Sequence, residues 1–209
     1  MTSEVTYIVD PGGTGDYISL QAFAAVAKDL VALDTAIVVK CKSSKGKADT
    51  SQVTFSGWTT DATRNITIVP ADIDSHHKGV WSPYMYRLQV AHNLAYAFKI
   101  EDVGYIRLRG LQISGGGNEA STWDSVIDVV GTSTTSCDGV EVSGCIIRPG
   151  PSTKFFAAPT VADIPTKAFK LLSVRSQNVA SGTATVDVFN NLFLSTMLTG
   201  KMGSLPCLI

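Results

Sequence analysis

Apolar and polar positions alternate in short runs along this chain, and one run recurs four times. It reads Asn65-Ile66-Thr67-Ile68-Val69-Pro70, then Tyr105-Ile106-Arg107-Leu108-Arg109-Gly110-Leu111-Gln112-Ile113. It returns as Gly139-Val140-Glu141-Val142-Ser143-Gly144-Cys145-Ile146-Ile147 and as Thr185-Val186-Asp187-Val188-Phe189-Asn190-Asn191-Leu192-Phe193. Each copy has two apolar residues two apart, a Pro, Gly or Asn two further on, and then more apolar positions. A period of two predicts strands with one buried face. The Gly or Asn predicts a bend, because these residues accept backbone angles that others resist. A strand–bend–strand unit returning at irregular spacing predicts the coils of a solenoid with loops of variable length.

The flanking segments extend this picture. Residues 5–9 alternate and predict a short strand, followed by the turn Asp10-Pro11-Gly12-Gly13-Thr14-Gly15-Asp16. That turn lacks the spacing of a phosphate-binding glycine loop. Ser19 is a natural N-cap, and Leu20, Phe23, Ala24, Ala27, Leu30 and Val31 then follow at helical spacing. They predict one amphipathic helix of about three turns, suited to cover the open end of a solenoid. Thr35–Cys41 reads as a strand, and further strands are expected at 87–90, 97–100, 126–130 and 169–174. From Ile37 the repeating positions are spaced 29, 40, 34 and 46 residues apart, so each coil carries a loop. The loops fall at 42–50, 72–87, 114–123 and 148–166, the last holding Pro149, Pro151, Pro159 and Pro165. With no linker, the chain reads as one domain: 1–34 the N-terminal strand, turn and helix, 35–195 the coils, and 196–209 a cap or oligomer tail. The alternative architecture is a small antiparallel sandwich, which the scarcity of Asn-Gly and Asp-Gly turns argues against.

Composition narrows the classes. Hydrophobic residues make up 44% and charged residues 17%, enough apolar content for a packed core. The net charge of −1 and the lack of a basic run give no reason to expect nucleic acid. No stretch approaches the roughly 20 apolar residues of a membrane span. Met-Thr-Ser-Glu-Val-Thr-Tyr has no basic region leading into an apolar run, so no secretory signal is expected. The expectation is synthesis in a cytoplasm, followed by retention, release on lysis or incorporation into a particle. Cys41, Cys137, Cys145 and Cys207 form no CxxC pair, and Cys41 and Cys145 lie in strand patterns where a buried thiol acts as a small hydrophobe.

The opening Gly13-Thr14-Gly15-Asp16-Tyr17-Ile18-Ser19-Leu20 resembles that of right-handed parallel β-helix proteins of the pectate-lyase-like class, and pectin esterases open in a similar way. Gly57-Trp58-Thr59-Thr60-Asp61, His77-Lys78-Gly79-Val80-Trp81 and Tyr86-Arg87-Leu88 are similar to β-helix proteins encoded by phages and environmental bacteria. The resemblance spans most of residues 7–195. It implies an all-β, right-handed, single-stranded parallel β-helix with an N-terminal capping α-helix. The class includes lyases, glycoside hydrolases, tailspikes and virion surface proteins, so fold alone does not choose among them. The carboxylates and Arg that pectin esterases carry on fixed strand positions have no matching set here.

Candidate chemistry comes from the aligned copies. Thr67, Arg107, Glu141 and Asp187 take equivalent outward positions and would stack in a column about 4.8 Å apart. Arg107 would pair with Glu141. Glu141 beside Asp187 is a like-charge contact that would raise a carboxyl pKa or attract calcium. The plain alternative is a solvated ladder. Asp72, Asp74, His76 and His77 are the densest metal-capable group, with His92 the only other histidine, but no metal motif supports them. Glu101 and Asp102, or Asp124 and Asp128, would line a sugar groove with Trp123, Trp81 or Trp58. The apolar tail through Leu198, Met202, Leu205, Leu208 and Ile209 either folds over its own last coil or buries against a neighbouring subunit.

Taken together, these features favour a non-enzymatic virion structural protein (a capsid decoration, tail or spike component), made in the host cytoplasm and located in the virion. The expected partners are further copies of the chain in a homo-trimer, other virion proteins and a surface glycan, with no nucleic acid and no membrane. No cofactor is expected, calcium being the one ion with a rationale. Two alternatives stand beside this reading. One is a polysaccharide lyase or glycoside hydrolase acting through Glu141, Asp187 and Arg107; the other is a glycan-binding module using the tryptophan loops.

Overall fold

A computed structural model describes residues 2–71, 76–91, 94–115, 125–131, 137–150, 170–176 and 185–194. Nearly all regular structure in them is strand. The first sheet has six strands in the order β1 (Ser3–Val9), β2 (Thr35–Cys41), β4 (Ile66–Pro70), β7 (Ile106–Arg109), β10 (Val140–Ser143) and β13 (Val186–Phe189). The second holds β5 (Arg87–Gln89), β8 (Gln112–Ser114), β11 (Ile146–Arg148) and β14 (Leu192–Phe193). The third holds β3 (Val53–Phe55), β6 (Phe98–Glu101), β9 (Ser125–Gly131) and β12 (Lys170–Ser176). Every pairing within them is parallel. From β4 onward the chain visits first, second and third sheet in turn and then repeats, so each strand bonds to the one three elements later. Parallel strands need such long connections, because a tight hairpin only joins antiparallel ones.

In-register stacking turns the sequence repeat into columns. On the inner side of the first sheet, Tyr7, Val39, Ile68, Leu108, Val142 and Val188 lie in one row. Val39 through Val142 are fully buried. The bends also stack. Gly110, Gly144 and Asn190 follow β7, β10 and β13 with φ of 66°, 59° and 55°, the left-handed region that glycine and asparagine tolerate. Each turns the chain from the first sheet into the second.

The N-terminal region differs from expectation. Instead of one helix of three turns there are two single-turn helices, α1 (Leu20–Ala24) and α2 (Leu30–Leu33). Ser19 caps α1 as expected, accepting the Ala22 N–H at 3.1 Å. The break arises because Asp29 caps a new helix, accepting the Ala32 N–H at 2.9 Å. Thr59 meanwhile exchanges backbone hydrogen bonds with Lys28 and Leu30, pinning the chain in extended form between the helices. α1 lies on β3, the edge of the third sheet, where the Gln21 side chain accepts the otherwise open N–H of Thr54 at 2.7 Å. Its Phe23 packs 5.4 Å from the Trp58 ring and 6.0 Å from Phe55, which in turn stacks on Phe98 at 5.5 Å.

Two buried carboxylates fasten this region to the first coil. Asp10 accepts from the Gly12 N–H at 2.8 Å, the Ser44 N–H at 3.0 Å and both the Ser44 and Thr14 hydroxyls. Burial alone would raise its pKa, but these hydrogen bonds hold it well below the usual carboxylate range. Asp49 accepts the Leu20 N–H at 2.6 Å, the Ser51 N–H at 3.1 Å and the Tyr86 hydroxyl at 2.9 Å. There desolvation dominates and the carboxyl is raised. Cys41, Cys137 and Cys145 are buried free thiols, and burial pushes Cys145 up to about 12.

Candidate functional site

The predicted outward column exists. Thr67, Arg107, Glu141 and Asp187 sit side by side on β4, β7, β10 and β13. Its chemistry differs from expectation. Glu141 pairs with Arg109 rather than Arg107: both carboxylate oxygens accept from the Arg109 guanidinium, at 2.8 and 2.6 Å, and Oε1 also accepts the Ser143 hydroxyl at 2.7 Å. Arg109 lies two residues beyond Arg107 on the same outward face, so strand alternation alone could have revealed it. Arg109, with smaller help from Ser143 and Arg107, lowers the Glu141 carboxyl below its ordinary value. The raised pKa expected beside Asp187 is therefore overturned. A carboxylate held ionised in this way is a poor general acid.

The other candidates separate into distinct places. Trp58 is not a surface ring. It is 4% exposed and donates its indole N–H to the Ala24 carbonyl at 3.0 Å, beneath α1. Trp81 is half-buried, and the Arg148 guanidinium lies 3.5 Å from its ring centre. Glu101 pairs with Lys99 at 2.5 Å, and Asp102 sits in the following turn with φ of 54°. Asp128 is 3% exposed and gripped by both arms of Arg175, far from a free catalytic carboxylate. Trp123, Asp72, Asp74, His92, Asp124, Cys207 and the tail residues Leu198, Met202, Leu205, Leu208 and Ile209 lie outside the described residues.

Residues 76–86 form a strap across the outer face of the second sheet. Gln112 is its main anchor. This outward residue of β8 is buried, accepts the Ser82 N–H at 2.6 Å, and donates to the carbonyls of Ser82 and Tyr86 at 3.1 and 3.2 Å. His77 is the second anchor. Its Nδ1 accepts the Gly79 N–H at 3.0 Å, so Nε2 carries the proton and donates to the Gly144 carbonyl at 2.6 Å. Desolvation, with a smaller effect from the neighbouring His76, lowers its pKa. With both ring nitrogens engaged, His77 has no lone pair for a metal. Among the described residues no group of three His, Cys, Asp or Glu side chains could hold a metal ion.

The far end of the sheets is apolar. Among the described residues β12, β13 and β14 are the last strands of their sheets. Val174, Val188, Phe189, Leu192 and Phe193 there expose 41–49% of their surface. Phe189 stands in the outward row of Arg109 and Ser143, so the apolar surface continues from the open core end onto the flank. Among the described residues no helix is long and apolar enough to cross a membrane. No protein-family model, curated protein or solved structure matches the chain.

Proposed function

We propose that the chain is a right-handed parallel β-helix serving as a non-enzymatic structural part of a virion, and that it assembles as a homo-trimer through its last coil. Crossovers between parallel strands of one sheet are right-handed in almost all proteins, which supports the handedness. The observation that carries the assembly is the asymmetry of the two ends. At the first coil, Phe55 and Trp58 are buried beneath α1, whose Phe23 packs on both. At the last, Val188 and Phe193 end their inward rows exposed, with Phe189 and Leu192 apolar on the flank. Further copies of the chain would bury this surface and occupy the edges of β12, β13 and β14 that no described strand pairs. The enzymatic alternative loses its best acid, because Arg109 keeps Glu141 ionised.

Amide hydrogen exchange over a protein concentration series tests this reading. The N–H groups of β13 and β14 should exchange more slowly as concentration rises, while those of β4 stay unchanged. Exchange in β13 and β14 that ignores concentration would overturn assembly through that end.

A further inference from the structure

On the second sheet, the strap encloses positive charge that no acid among the described residues balances. Arg148 ends β11 with its guanidinium over the Trp81 ring, 3.5 Å from the ring centre. Among the described residues it meets no carboxylate and makes no hydrogen bond, so its N–H groups have only the ring face for company. Arg87, on β5 of the same sheet, is held by neutral oxygens: the Gly46 carbonyl at 3.0 Å, the Pro83 carbonyl, and the Gln89 side chain at 3.4 Å. Burial lowers the Arg148 pKa, and the like charge of Arg87 lowers it further, so the two cations feel each other.

A third group sits beside them. Ser114 pairs in register with Arg148. It lies two residues after Gln112, whose side chain binds the strap, so alternation turns Ser114 to the same outer side. Ser114 is fully buried, and its hydroxyl has no hydrogen-bond partner. A buried polar atom without a partner is costly and rare, and asks for a ligand or a water.

We propose that Arg148, Arg87 and Ser114 form a binding site for a tetrahedral oxyanion of the phosphate class, free or as a phosphate ester. A planar guanidinium presents paired N–H groups that match two phosphate oxygens. Contact with the Trp81 ring restrains the guanidinium before the ligand arrives, which lessens the ordering cost of binding. Two cations that meet no carboxylate among the described residues suit a dianion better than a singly charged carboxylate. The Ser114 hydroxyl supplies a further donor. This inference does not depend on the assembly reading.

The test is a 31P NMR titration of the purified chain with inorganic phosphate and, separately, glucose 6-phosphate, with acetate as competitor. Saturable binding of either phosphate, little displaced by equimolar acetate, is expected. Tighter binding of the ester would identify an esterified ligand, and equal binding would identify the free ion. Arg148→Gln should weaken binding by about tenfold or more, the loss of one charge-assisted contact, and Arg148→Lys, which keeps a cation over Trp81, by less. Arg87→Gln leaves the Trp81 stack intact and should also weaken binding, which separates a ligand role from a structural one. A wild-type titration without saturation, displacement by acetate at equal concentration, or unchanged binding in both glutamine variants would overturn the proposal.

Discussion

Arg109 grips both carboxylate oxygens of Glu141 from the neighbouring strand, reaching back to the residue that stands in register with Arg107. Arg109 is largely exposed, so the pair contributes at most about 1 kcal/mol. The folded pKa of Glu141 lies below its ordinary value of 4.5, so this stabilisation is present above pH 4.5 and is lost as pH falls through the folded value. Glu141→Gln should therefore cost under about 1 kcal/mol at pH 7 and progressively less in acid. Urea unfolding at pH 7 and at a pH below the folded value reads the difference, and an equal cost at both would show that the pair does not titrate with the fold.

His77 imposes the opposite constraint on the strap. Its Nδ1 must stay unprotonated to accept the Gly79 N–H, and desolvation already lowers its pKa from 6.5. The unfolded chain thus binds the proton more readily than the folded one, and stability falls as pH drops below 6.5. Between pH 7.5 and 5.5 the melting temperature of the wild type should decline, and limited proteolysis within 76–86 should quicken. His77→Gln, which can still donate to Gly144, should show a shallower decline over that interval. A decline as steep as that of the wild type would remove His77 as its source.

The stacked bends separate strain from crowding. Gly110 and Gly144 share a left-handed backbone, which costs a residue with a Cβ about 1–2 kcal/mol. A Cβ on Gly144 meets nothing nearer than the Gly110 backbone at 3.8 Å, whereas one on Gly110 would fall on the His76 imidazole. Gly144→Ala should accordingly cost about 1–2 kcal/mol, and Gly110→Ala clearly more. Equal losses in denaturant unfolding would mean that His76 moves aside freely.

Asp49 satisfies three donors at once: the N–H groups of Leu20 and Ser51 and the hydroxyl of Tyr86. Asp49→Ala leaves all three without an acceptor, at a cost of about 3 kcal/mol or more. Asp49→Asn keeps one carbonyl oxygen but turns an amide N–H₂ towards donors, so it should fall between alanine and wild type. Calorimetry of the three proteins checks the order.

The first sheet was legible because inward and outward residues alternate in each copy, and that pattern alone placed Thr67, Arg107, Glu141 and Asp187 in one row. The bends were legible because Gly110, Gly144 and Asn190 belong to the few residue types that tolerate a left-handed backbone. β3 was not, since Val53–Phe55 is too short for a period to show. The split between α1 and α2 depends on Thr59, far along the chain, holding Lys28 and Leu30. The same distance hid the partners of Asp10, Asp49, Gln112 and His77, whose roles arise only when loops meet. Trp58 read as a sugar platform because sequence cannot show that α1 lies over it. Arg148 and Ser114 are adjacent only through the pairing of β8 with β11.

The solution mass of the purified chain, followed by light scattering across a dilution series, tests the central claim most directly. Assembly through the last coil predicts a species near three times the 22.2 kDa chain that persists at micromolar concentration. It also predicts a shift towards monomer when Phe189 and Leu192 are replaced by serine. A monomer at every concentration would contradict it.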